Sequence, residues 1–229
     1  MSSLADVLLR FNRKERNLLI RAVLGDEQEP LQLSEAFRRA IAQQLPVLKV
    51  EIIPEEAWWS TDYHISWLAG ALAYYTEGKD CLKNARHNPS TGPDCELIER
   101  NQEDIDLVIA SGRDLILVEA KAYGKWDVDQ LQSKLDRFDL LRGEYDQIAA
   151  HAAIDTQVQM HFLLMSPVEP KEIKVDWRRF KRTDSPIPWI RLNLPKSEPI
   201  LEVSRCNEKG KKSDQGGYWQ IVEHRAHLT

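Results

Sequence analysis

Two rhythms of apolar and polar positions run along the chain. Over residues 3–25, Leu4, Val7, Leu8, Phe11, Leu18, Leu19 and Val23 recur near helical spacing, with the polar stretch FNRKER between them and Gly25 as a stop. Residues 34–44 repeat the rhythm, from Ser34 as cap through Phe37 and Ile41 to Pro46. A third helix is predicted from Ser60 or Thr61, either of which can cap it. Ile65, Leu68, Leu72 and Tyr75 then follow at steps of three and four, up to Gly78. Residues 80–100 mix Asn, Pro, Gly and Ser and read as a long loop.

The rhythm then changes. IDLVIA (105–110) and DLILVEAKA (114–122) are β-rich runs flanking Ser111-Gly112-Arg113. A helix follows from Asp127 to about Arg142, with Val128, Leu131, Leu135, Phe138 and Leu141 on one face. VQMHFLLM (158–165) is a buried strand, 168–186 is polar and basic, and PWIRLNL (188–194) and YWQIVEH (218–224) are later strands. The order predicts an α/β chain, a mixed central sheet flanked by helices. The expected division is one domain over 1–229, with an N-terminal helical layer over 1–78 and a core over 102–224.

Composition narrows the class. A chain of 229 residues with 42% hydrophobic residues and seven Trp can bury a core of its own and is not disordered. No apolar run reaches the roughly 18 residues of a membrane span, and the start has no secretory pattern, so a cytoplasmic protein without a membrane partner is expected. The three cysteines lack metal-ligand spacing. A net charge of −5 argues against coating nucleic acid with the whole surface, though not against a local basic track.

Candidate chemistry comes from the hairpin. If Gly112-Arg113 is a two-residue turn, Ser111 faces Asp114 and the numbers of paired positions sum to 225. Asp106 is then opposite Glu119, on the same face. Like charges so opposed are destabilising, more so within apolar runs. A shared hard divalent ion would remove both penalties, and Mg²⁺ takes one or two carboxylates with waters and phosphate oxygens. Lys121, two residues beyond Glu119, points to the same side and could orient a water or stabilise phosphate charge. A solvated strand face could carry the same charges. Ile116, Leu117, Val118 and Ala120 argue instead for a strand covered on both sides.

This stretch, DIDLVIA–SGRD–LILVEAKAY, resembles the core of the PD-(D/E)XK nuclease superfamily, also called restriction-endonuclease-like. That family's motif is an Asp on one strand and Asp/Glu-x-Lys on the next, followed by a helix. The resemblance covers about 102–142, and 60–78 more loosely. Ile105 stands where the family's Pro would precede Asp106. The resemblance implies hydrolysis of nucleic-acid phosphodiesters, DNA first, with Asp106 and Glu119 as ligands of Mg²⁺ or Mn²⁺ and Lys121 activating water. It further suggests Asp62 as a third ligand on a preceding helix, and Gln130 on the following helix as a site residue. Asp127-x-x-Gln130 is also a capping pattern. Glu96, Glu99 and Glu103 are fallback donors. His64 is unassigned, and His161 is expected to be a satisfied core residue.

Lys171, Lys174, Arg178, Arg179, Lys181 and Arg182, interleaved with Trp177 and Phe180, form a basic segment suited to nucleic-acid contact. Residues 205–212 are a second basic stretch. Nucleases that cut both strands often dimerise, so a homodimer is within the expectation. A non-cleaving binding or adaptor module of the same fold is the alternative.

Overall fold

The computed structural model describes residues 2–24, 31–83, 85–92, 95–99, 103–150, 157–170, 173, 188–194 and 200–224. Its centre is a five-stranded mixed sheet in the order β1-β4-β5-β6-β7. These strands are β1 (Trp58–His64), β4 (Asp104–Ser111), β5 (Asp114–Ala120), β6 (Gln159–Ser166) and β7 (Trp189–Arg191). β1, β4 and β5 pair antiparallel, whereas β5, β6 and β7 run parallel. Two small antiparallel pairs stand apart from it: β2 (Ser90–Gly92) with β3 (Cys95–Glu96), and β8 (Ile200–Cys206) with β9 (Tyr218–His224).

The β4–β5 hairpin follows from its turn. Gly112 takes a positive φ of 59°, which a two-residue hairpin turn requires, and Ser111 pairs with Asp114 as expected. The register runs on through Leu107 and Val118, so the pairing sum of 225 holds. Leu115 to Glu119 are all buried, so β5 is covered on both faces.

Alternation along β4 and β5 splits the core in two. Val108, Leu115 and Leu117 face α1 (Leu4–Phe11), α4 (Ile65–Glu77) and α5 (Val128–Ala149), meeting Leu8, Leu68, Leu72, Leu135 and Phe138. Ile109, Ile116 and Val118 face the other way, against Ile41 and Leu45 of the α3 (Glu35–Gln44) region. Helix α2 (Glu15–Leu24) lies by β1. The first 78 residues thus form no single layer. They supply helices to both faces and an edge strand to the sheet.

That edge strand corrects the predicted helix start. Ser60 and Thr61 sit within β1, and α4 begins only at Ile65, directly after the strand, with His64 as its cap residue, whose side chain makes no capping bond. The signal for β1 was the β-favouring run Trp58-Trp59-Ser60-Thr61. Helix α5 runs past the predicted end near Arg142, to Ala149, because Tyr145 and Ile148 continue the buried face. The pattern predicts β9 and not β8. Among the described residues no helix is long and apolar enough to cross a membrane.

Candidate metal and phosphodiester site

The carboxyl end of β5 and the first turns of α5 enclose a cavity lined by Asp106, Glu119, Lys121, Trp126, Gln130 and Lys134. Each arrives for a local reason. The register runs as far as Leu107↔Val118, and the next residue of each strand, Asp106 and Glu119, lines the cavity. Asp106 Oδ2 accepts the Ala120 backbone N–H at 2.7 Å, which pins the carboxylate against the end of the hairpin. Lys121 continues the parallel ladder by donating its backbone N–H to the Met165 carbonyl at 2.8 Å. Its side chain therefore falls on the Glu119 side of the strand. Asp127 caps α5 by accepting the Gln130 backbone N–H at 3.0 Å, leaving the exposed Gln130 side chain at the rim. The capping role of Asp127 and the site position of Gln130 coexist.

Lys134 is the participant that the sequence places one turn beyond Gln130 without a role of its own. One turn beyond Gln130, its ammonium donates to Glu119 Oε2 at 2.6 Å and to the Asp104 carbonyl at 2.9 Å, with both charged side chains under 10% exposed. The clue was its place, one turn on from Gln130 and three residues after Leu131, on the inward side of the helix. Glu119 is nonetheless a reluctant anion. Burial pushes its carboxyl up from 4.5 to about 7, the Lys134 ammonium opposing this and the Asp106 and Glu103 carboxylates adding to it.

The donor set suits a hard cation. Glu119 Oε1 is buried with no hydrogen-bond partner, although such atoms are almost always satisfied. It shares the cavity with Asp106, whose Oδ1 remains after Oδ2 has taken the Ala120 N–H. Two carboxylates with room for waters and phosphate oxygens are what Mg²⁺ or Mn²⁺ uses. Among the described residues no group of three or more His, Cys, Asp and Glu is placed to hold a metal ion.

Asp62 is placed elsewhere than predicted. It lies on β1 rather than on a helix, in the left-handed region with φ 51°, and its Oδ2 is 3.6 Å from Arg16 Nη1. It does not line the cavity. The loop carboxylates are also engaged. Glu96 accepts from Asn88, and Glu103 and Glu99 lie 3.2 and 3.9 Å from the fully buried Arg137 guanidinium. His64 meets Asp104, which also takes Lys14 Nζ at 2.7 Å. Burial is the largest influence on His64 and lowers its pKa, against the pull of Asp104. His161 is satisfied by Asp114 at 2.7 Å. The basic residues Lys171, Lys174, Arg178, Arg179, Lys181 and Arg182 lie outside the described residues.

No family model matches the chain, and no curated protein or solved structure does either.

Proposed function

We propose that the chain is a metal-dependent nuclease of the restriction-endonuclease-like kind, acting on phosphodiester bonds of nucleic acid, DNA in the first instance. One observation carries this reading: Asp106 and Glu119, with the buried Glu119 Oε1 unpartnered, line one cavity together with Lys121. Mixed-sheet topology and the hairpin register support it.

Asp106 and Glu119 would hold Mg²⁺ or Mn²⁺. When bound, such an ion acidifies water and neutralises charge on the phosphoryl oxygens. The chain's own groups do the rest. The Ala120 N–H fixes Asp106, and Lys134 fixes Glu119 from behind. Lys121 supplies an ammonium on the open side, positioned to orient a water and to stabilise charge on the phosphate. Gln130 at the rim offers an amide to substrate or water.

A second reading has its own observation. Lys134 already compensates Glu119 with a buried ammonium, an arrangement that a non-cleaving module of the same fold could keep for stability alone. Incubating supercoiled and single-stranded DNA with Mn²⁺ or Mg²⁺ separates the two. Cleavage that disappears in Asp106→Asn and Lys121→Ala is the expected result. Salt-sensitive DNA binding without cleavage under either metal would replace the enzyme with the module.

A further inference from the structure

The β8–β9 hairpin holds a large apolar surface in solvent. Its register pairs Leu201 with Glu223, Val203 with Ile221 and Arg205 with Trp219, so these six side chains share one face. Leu201, Val203, Ile221 and Trp219 on that face are 66%, 67%, 60% and 68% exposed. On the opposite face Ser204 and Cys206 are buried, 6% and 2% exposed, whereas Tyr218 is 54% exposed. On the first face four adjacent apolar side chains meet solvent, and a contiguous exposed patch of this kind marks a protein contact.

The charges on the face favour a particular occupant. Arg205 stands near the tip on β8 and Glu223 near the open end on β9, at diagonally opposite corners of the apolar patch. A two-fold axis between two such faces, perpendicular to that diagonal, brings each Arg205 over the partner's Glu223. Val203 and Ile221 then meet at the centre. Self-complementarity of one patch under a two-fold is the requirement of an isologous dimer. We propose that the outer face of the β8–β9 hairpin is the docking surface for a second copy of this chain. The inference does not depend on whether the chain cleaves nucleic acid. A two-stranded face is small beside a standard interface, so the dimer is weak, with a dissociation constant on the order of 10 µM.

Sedimentation of the full chain, from low to high micromolar concentration, tests this. The wild type is expected to pass from monomer to dimer. Ile221→Lys, on a side chain that the monomer leaves in water, is expected to hold it monomeric while its thermal unfolding is unchanged. Arg205→Glu and Glu223→Arg should each weaken the dimer by about tenfold or more, and the two together should restore it, because each contact then has its signs exchanged. Arg205 also donates to the Gly216 carbonyl at 3.1 Å, so the Glu223→Arg variant and Ile221→Lys stand as controls that leave that bond intact. A chain monomeric at every concentration overturns the proposal. So does a dimer that survives Ile221→Lys, or a double charge exchange that fails to recover. A monomer that loses DNA binding in the Trp219→Ala variant would assign the face to nucleic acid instead.

Discussion

Lys134 Nζ lies 2.6 Å from Glu119 Oε2, and neither side chain is more than a tenth exposed. Two desolvated opposite charges tolerate each other far better than either tolerates isolation. Lys134→Met therefore strands a buried carboxylate and should lower stability at about pH 8 by roughly 3–5 kcal/mol. Adding Glu119→Gln removes the stranded charge and should recover much of that loss. Urea unfolding of the two single variants and the double variant measures the coupling. A coupling below about 0.5 kcal/mol would mean that the contact contributes nothing beyond packing.

Glu119 also makes stability depend on pH. Its folded-state carboxyl titrates near 7, against 4.5 for an ordinary glutamate, so between those values the folded chain holds a proton that the unfolded chain has released. This contribution is complete below about pH 4.5, falls as pH rises through the window and is gone above about pH 7, a change of roughly 3 kcal/mol. Urea unfolding at about pH 5 and pH 8 should show the decline, and Glu119→Gln should flatten it. On the proposed function, saturating Mn²⁺ would compete with the proton for the same carboxylate and should also flatten it.

For the proposed activity, Asp106→Asn is the sharpest substitution. An amide oxygen can still accept the Ala120 N–H, so the fold should melt within a few degrees of wild type while one ligand charge disappears. Cleavage of DNA in Mn²⁺ should fall by about 100-fold or more, as it should for Lys121→Ala. Equal falls in activity and melting temperature would assign Asp106 to structure alone.

These residues were legible because a hairpin has few degrees of freedom. A glycine turn fixes the register as far as Leu107 and Val118, and Asp106 and Glu119 are the next residues along the two strands. Tertiary override hid the rest. Ile65, Leu68 and Leu72 carry a helical period that extends smoothly backwards over Ser60 and Thr61, so β1 and the true place of Asp62 were masked by a sound helix signal. Lys134 was hidden for a different reason. A lysine on an amphipathic helix is usually solvated, and only the packing of α5 on β5 makes it a buried ion. Nothing local distinguishes β8, whose Leu201 and Val203 face outward.

Arg137 offers a test of the segment preceding β4. Its side chain is fully buried, donating to Glu103 Oε2 at 3.2 Å and to the Leu97 carbonyl at 3.1 Å. Arg137→Ala leaves a void, an uncompensated Glu103 and an orphaned carbonyl, and should cost about 3–5 kcal/mol. Hydrogen exchange should show lost protection around Leu97 before the central strands respond.

Gly70 marks the close approach of α4 to α1. A Cβ there would meet the Phe11 ring at 2.7 Å. Overpacking of this kind typically costs about 1–3 kcal/mol, which exceeds the roughly 1 kcal/mol that alanine gains over glycine in a helix. Gly70→Ala should therefore lower the melting temperature, and Phe11→Leu in the same chain should return part of it.

Helix α5 carries Lys134 and Gln130 on its cavity side, while Leu135, Phe138 and Leu141 are anchored in the main core. It is also the connection between the parallel neighbours β5 and β6. One rigid rod thus forms both a wall of the cavity and the central brace of the domain. Heat should then abolish the proposed ion binding and the tertiary structure in a single cooperative event, without an earlier stage in which the proposed chemistry fails inside an intact scaffold.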